Sequence, residues 1–281
     1  MAIVGAGSLA SALAVSLKSA GYAIDEILSR PAPASLRNGR KLAREVGASA
    51  ATLNSTRGNS PVTWFCVSDR EIASAAKALA AATRWTSRIA LHSSGALSSG
   101  ELNALRKCGA SVASVHPLMS FVRGSRTSMQ GVPFAIEGDG EAVRAARKIV
   151  ADLGGKPFRV GKKNKDAYHA WGMFSSPFLI ALLAAAERVA SAAGIRPGDA
   201  RKKMLPILRQ TLANYERLGA SASFSGPIAR GDVETVRKHL KVLKGISGSR
   251  QVYLALAREA IKSLPSQNKS ELRRVLAVRR R

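Results

Sequence analysis

Residues 2–13 read Ala-Ile-Val-Gly-Ala-Gly-Ser-Leu-Ala-Ser-Ala-Leu, and this stretch decides the fold. An apolar run, Ala2-Ile3-Val4, meets Gly5, Gly7 and Ala10 in the spacing GxGxxA, while Leu9, Leu13 and Leu17 recur at helical intervals. The order is strand, tight turn, helix. Gly5 permits the sharp turn, Gly7 lets backbone N–H groups approach a pyrophosphate, and Ala10 keeps the helix close to the sheet. Ser8 and Leu9 open that helix, whose positive dipole end faces the anion.

Working outward, Gly21-Tyr22 leads into a second apolar segment, Ile24 to Leu28, which ends in Ser29-Arg30. An acidic residue at this strand end takes the ribose hydroxyls of NAD, whereas an arginine accommodates the 2′-phosphate of NADP. Asp25 and Glu26 precede the tip, so the spacing favours NADP, with Ser29 and Arg30 on the adenosine phosphate. A helix over 35–46 and a weak strand and loop at 48–60 follow. Val62 to Val67 is a continuous apolar run, as expected of a strand buried on both faces. Ser68-Asp69 can cap an alanine-rich helix over 70–83. Strands over 89–91 and 111–115 end in His92-Ser93-Ser94-Gly95 and His116-Pro117. Strands alternating with helices predict a Rossmann-type, doubly wound parallel sheet. Its ligand rim would gather Val67, Ser68, Ser94 and His116 beside the glycine turn.

The pattern changes after strands near 134–136 and 157–160, with Phe121-Val122-Arg123-Gly124-Ser125-Arg126 in a connecting loop. Helices are predicted over 166–193, 198–218, 232–244 and 248–263, the first crossing between domains. The expected division is a nucleotide-binding domain over 1–160, an all-helical domain over 161–265 and a basic tail over 266–281.

Of 281 residues, 46% are hydrophobic and 22% charged, which is a globular balance. No run of eighteen apolar residues is apparent, so neither a membrane span nor a signal peptide is expected. Cys66 and Cys108 are too far apart in sequence to suggest a disulfide frame, which points to a reduced, cytoplasmic setting. The net charge of +26 is concentrated in residues 201–281, with 19 basic against 5 acidic side chains. Such a surface attracts polyanions. With aromatics at 5% it offers no stacking platform for single strands, and specific nucleic-acid binding is not expected.

Four histidines are candidates for proton transfer: His92, His116, His169 and His239. His116 leads because it ends a rim strand and imidazole titrates near neutrality. His92 is its rival, and His169 follows. No pair has metal-ligand spacing, and no GxSxG elbow supports a serine nucleophile.

These stretches, with Tyr168-His169-Ala170 and above all Gly226-Pro227-Ile228-Ala229-Arg230-Gly231-Asp232, resemble the Rossmann-like proteins that carry domain of unknown function 2520. The resemblance covers about residues 1–260. That family is similar to 6-phosphogluconate-dehydrogenase-like, ketopantoate-reductase-like and pyrroline-carboxylate-reductase-like enzymes. It implies an NADP-dependent oxidoreductase acting on a small carbonyl, imine or hydroxy compound, whose helical domain forms a homodimer. It also implies that His169, Arg230 and Asp232 approach the site from the helical part. Two features depart from the family: Ser176-Pro177 stands where Ser-Asn is expected, and only four residues precede Gly5, which suggests a shortened N-terminus. Prephenate dehydrogenases likewise place a serine after one central strand and a His-Pro pair after the next. By that analogy His116 is the general acid/base and Ser94 its orienting partner. Two other readings stay open, an NADP-binding sensor without turnover and a basic polyanion-binding protein.

Overall fold

A computed structural model describes residues 1–122 and 127–277. The expected loop residues at 123–126 and the end of the expected basic tail at 278–281 lie outside the described residues. The chain forms two compact units, Met1–Phe174 and Ser175–Arg281.

The first unit is built on one eight-stranded sheet: β1 (Ala2–Val4), β2 (Glu26–Ser29), β3 (Ser49–Thr52), β4 (Val62–Phe65), β5 (Ile89–His92), β6 (Ser111–Pro117), β7 (Pro133–Gly138) and β8 (Lys156–Arg159). Their order across the sheet is β3-β2-β1-β4-β5-β6-β7-β8. All neighbours run parallel except β6 and β7, where His116 pairs with Ala135 and Pro117 with Phe134. No helix is described between β6 and β7, and without a helical crossover the chain returns antiparallel.

Helices cover both faces, which is why the central strands are apolar throughout. Ile3 and Trp64 share one core with Ala10, Leu13 and Leu17 of α1 (Ser8–Ser19), Leu42 of α2 (Pro33–Val46) and Ile149 of α5 (Gly140–Asp152). Ala2, Val4 and Phe65 share the other with Ile72 and Leu79 of α3 (Asp69–Ala82) and Leu105 of α4 (Asn103–Lys107). Cys66 is buried and its thiol is pushed up to about 12 by desolvation, whereas Cys108 is exposed; both are free.

The helix expected over 166–193 is two helices, α6 (Lys165–Ser175) and α7 (Pro177–Ala192). Proline has no N–H to continue the ladder, and Ser176 leaves helical geometry at φ −137°, ψ −71°. By length and composition alone the run Lys162–Ala192 is apolar enough to cross a membrane. It contains this break, and Lys165 and Tyr168 of α6 are buried.

The second unit continues with α8 (Pro197–Ser223), α9 (Val233–Val242), α10 (Ser249–Ser263) and α11 (Lys269–Leu276). Gly219, at φ +74° and ψ +176°, kinks α8. A small core joins Val236 and Leu240 to Leu254, Ile261, Leu272 and Leu276. The described part of the basic tail is thus a packed helix, anchored by leucines four residues apart.

Candidate active site

Gly5 has φ +108°, and a Cβ there would lie 2.4 Å from the carbonyl oxygen of Cys66, so only glycine fits between β1 and the end of β4. Gly7 has open space where its Cβ would be, and as N-cap of α1 it offers no side-chain cap. The first-turn N–H groups of Ser8, Leu9 and Ala10 are therefore available to an anion. Ala10 is fully buried beneath them.

This turn floors a cavity of about 490 Å³, which is also lined by Ser29, Arg30, Val67, Ser68 and Glu71. Ser29 Oγ is buried without a hydrogen-bond partner. Arg30 pairs with Glu71, whose other oxygen accepts from Ser68 Oγ at 2.7 Å. The Ser68 bond, with Arg30 beside it, holds the Glu71 carboxyl below its usual range. Ser68 is the N-cap of α3, but its hydroxyl serves Glu71 and does not make the helix cap expected from the sequence. Asp25 and Glu26 are engaged at the opposite end of β2: Asp25 accepts from Ser60 Oγ, and Glu26 from Thr56 Oγ1 and Arg57 N–H.

Further along the same sheet edge, β5, β6 and α6 build a second cluster. His92 is fully buried; its Nδ1 accepts from Ser94 N–H at 3.1 Å and its Nε2 lies 3.0 Å from Ser98 O. Burial, with Lys165 nearby, lowers it to about 4. Those bonds shape the turn 93–98. Ser94 Oγ accepts from Leu97 N–H, so the hydroxyl serves the turn, while Nδ1 of His116 meets Tyr168 Oη at 2.6 Å. The other edge of the His116 ring rests on Gly95, where a Cβ would sit 2.9 Å from Nε2. Burial, then Lys165, then His169 lower His116 to about 4, and burial raises Tyr168 to about 12.

Lys165 is 3% exposed, an unusual environment for an ammonium group. It donates to the carbonyl of Ser94 at 3.0 Å and to Ser114 Oγ, and desolvation lowers it to about 8. Sequence reading passed over Lys165, because the run Lys162-Lys163-Asn164-Lys165 looks like solvated surface. Tyr168 had a signal in its place directly before His169, and Glu71 in its three-residue spacing from Ser68, that of a capping box.

His169 is exposed on α6. Arg230 and Asp232 belong to the second unit, where the Gly-Pro-Ile-Ala-Arg-Gly-Asp block forms the turn into α9. Asp232 caps α9 by accepting from Thr235 N–H at 3.0 Å. A Cβ on Gly231 would lie 2.8 Å from the Gln267 backbone, and Ala229 O accepts from Gln267 N–H. Among the described residues, no three His, Cys, Asp or Glu side chains are placed to hold a metal ion.

Comparisons with known proteins agree with this fold. A Bacteroides fragilis protein predicted to be an NADP oxidoreductase superposes with TM-score 0.77 at 21% identity, over 92% of this chain and 96% of that one. A Thermotoga maritima protein superposes with TM-score 0.72 at 26% identity, over 98% and 97%. A reductive aminase from Aspergillus terreus, in complex with NADPH and ethyl-5-oxohexanoate, gives 0.68 at 17% identity over 96% of both chains. No curated protein sequence matches the chain. Residues 132–260 match the family described as domain of unknown function 2520. With its Rossmann sheet and helical C-terminal region, the chain is similar to the Rossmann-like proteins that carry this domain.

Proposed function

We propose that the chain is an NADP(H)-dependent oxidoreductase that moves a hydride to or from a small carbonyl, imine or hydroxy compound. The observation that carries this reading is the cavity at the carboxyl ends of β1, β2 and β4, floored by Gly5 and Gly7 at an uncapped helix start. These residues fit a dinucleotide: Ser8 to Ala10 would take the pyrophosphate, Ser29 and Arg30 the adenosine phosphate, and Val67 and Ser68 one wall. A bound nicotinamide would supply or accept the hydride. The Aspergillus terreus reductive aminase, of similar fold, binds NADPH, which supports the cofactor and favours a carbonyl or imine substrate.

The chain's own task is to bind, orient and manage one proton. His116 is the proposed proton-transfer residue, its neutral imidazole oriented by the Nδ1 contact with Tyr168. Ser94 contributes through its turn, which sets Gly95 against the edge of the His116 ring. His169, Arg230 and Asp232 are the next candidates for substrate contact. We also propose a homodimer, because Ile180, Ile207 and Leu212 on α7 and α8 are 63%, 67% and 58% exposed.

NADPH titration, followed by turnover over a carbonyl and imine panel, tests the reading. With an active substrate, His116→Ala should lose about 10²–10⁴-fold in kcat while NADPH affinity stays within twofold. More than a tenth of wild-type activity would move the proton to another residue. NADPH binding without turnover on any compound would favour a sensor.

A further inference from the structure

The proposed cofactor cavity presents two opposite charges where the adenosine ribose would lie, and they come from separate elements. Arg30 follows the tip of β2, and Glu71 stands in the first turn of α3. Both line the cavity and each is the other's ion-pair partner. The Arg30 side chain is 57% exposed and that of Glu71 is 20% exposed. Ser68 Oγ fixes the second carboxylate oxygen at 2.7 Å, so the acid is held and the longer arginine is the movable member.

We propose that Glu71 is a specificity-determining residue, whose carboxylate competes with the 2′-phosphate of NADPH for Arg30 and narrows the margin over NADH. This rests on the cofactor reading above. An arginine at this position favours the phosphorylated cofactor, but here it is already paired. A phosphate must draw Arg30 from Glu71 and then lie near that carboxylate, a like-charge contact that NADH avoids. A repulsive element of this kind sets specificity as effectively as an attractive one.

The test titrates NADPH and NADH separately into the full chain as wild type, Glu71→Gln, Arg30→Ala and the double variant. Glu71→Gln keeps an oxygen for Ser68 Oγ and so preserves the start of α3. It should bind NADPH on the order of 5-fold tighter, with NADH within twofold of wild type. In the Arg30→Ala background the gain should shrink, because no guanidinium remains to be released. If Glu71→Gln binds NADPH no tighter than wild type, or more weakly, Glu71 pre-positions Arg30 and the proposal is overturned alone. If wild type binds neither cofactor, the cofactor reading falls and this proposal with it.

Discussion

Between Met1 and Phe174 two cores flank one sheet, and even an ammonium, that of Lys165, is enclosed and hydrogen-bonded. Between Ser175 and Arg281 the balance is reversed. In α8, 27 residues long, Ala200 is the one buried residue, while Leu205, Ile207, Leu212, Tyr215 and Leu218 stand exposed. Sheet strands buried on both faces complete their own environment, but a long helix with one buried residue has not. The contrast teaches that the first unit draws its stability from a sheet enclosed on both faces, whereas the longest helix of the second leaves most of its apolar side chains exposed.

The largest expected effect would break the first half of that contrast at one position. Gly5→Ala puts a methyl group against the Cys66 carbonyl at a left-handed φ, and should cost about 2–4 kcal/mol in denaturant unfolding. Gly7→Ala meets open space and should cost under about 1 kcal/mol, yet weaken NADPH binding at least tenfold. Equal stability losses at the two glycines would refute the assigned turn.

Acid should act on the first unit next. His92 and His116 titrate near 4 when folded and near 6.5 when unfolded. Between those values the unfolded chain binds protons that the folded chain does not, so stability is intact above about pH 6.5 and falls as pH drops toward 4. Each histidine contributes up to ~3 kcal/mol to that loss. His92→Asn should flatten the melting-temperature profile over this window, and an unchanged slope would show that His92 is not held neutral. Lys165 has the same sign at higher pH, with stability rising from about 8 toward 10.5.

On the second unit, Ile207→Asp should leave the unfolding free energy within about 0.5 kcal/mol at low concentration but shift sedimentation from dimer to monomer. A wild type that is monomeric at micromolar concentration would remove the assembly proposal. The smallest effect belongs to Asp232→Ala, which removes the α9 cap and should cost about 1 kcal/mol in thermal unfolding. A large loss of turnover with little loss of stability would instead place Asp232 at the substrate.

Most of the sheet could be read from the sequence, because strand periodicity, glycine turns and alternating helices are local signals. The reversal of β7 could not, since direction depends on a connection whose residues carry no strong pattern. The break at Ser176-Pro177 was legible in its proline but masked by apolar residues on both sides. In the candidate site, the glycine turn, Ser29, Arg30 and Ser68 were found by spacing, and they line one cavity. Lys165, Tyr168 and Glu71 were not, because burial and partners across 71, 52 and 41 residues are tertiary facts.

The two cysteines have a practical consequence. Thiol-reactive reagents attack the thiolate, and Cys66 is both enclosed and held protonated to about 12, while Cys108 is exposed at the end of α4. A maleimide dye added to the native chain should therefore attach at Cys108 alone, giving a one-site fluorescent reporter on the sheet-containing unit without any mutation.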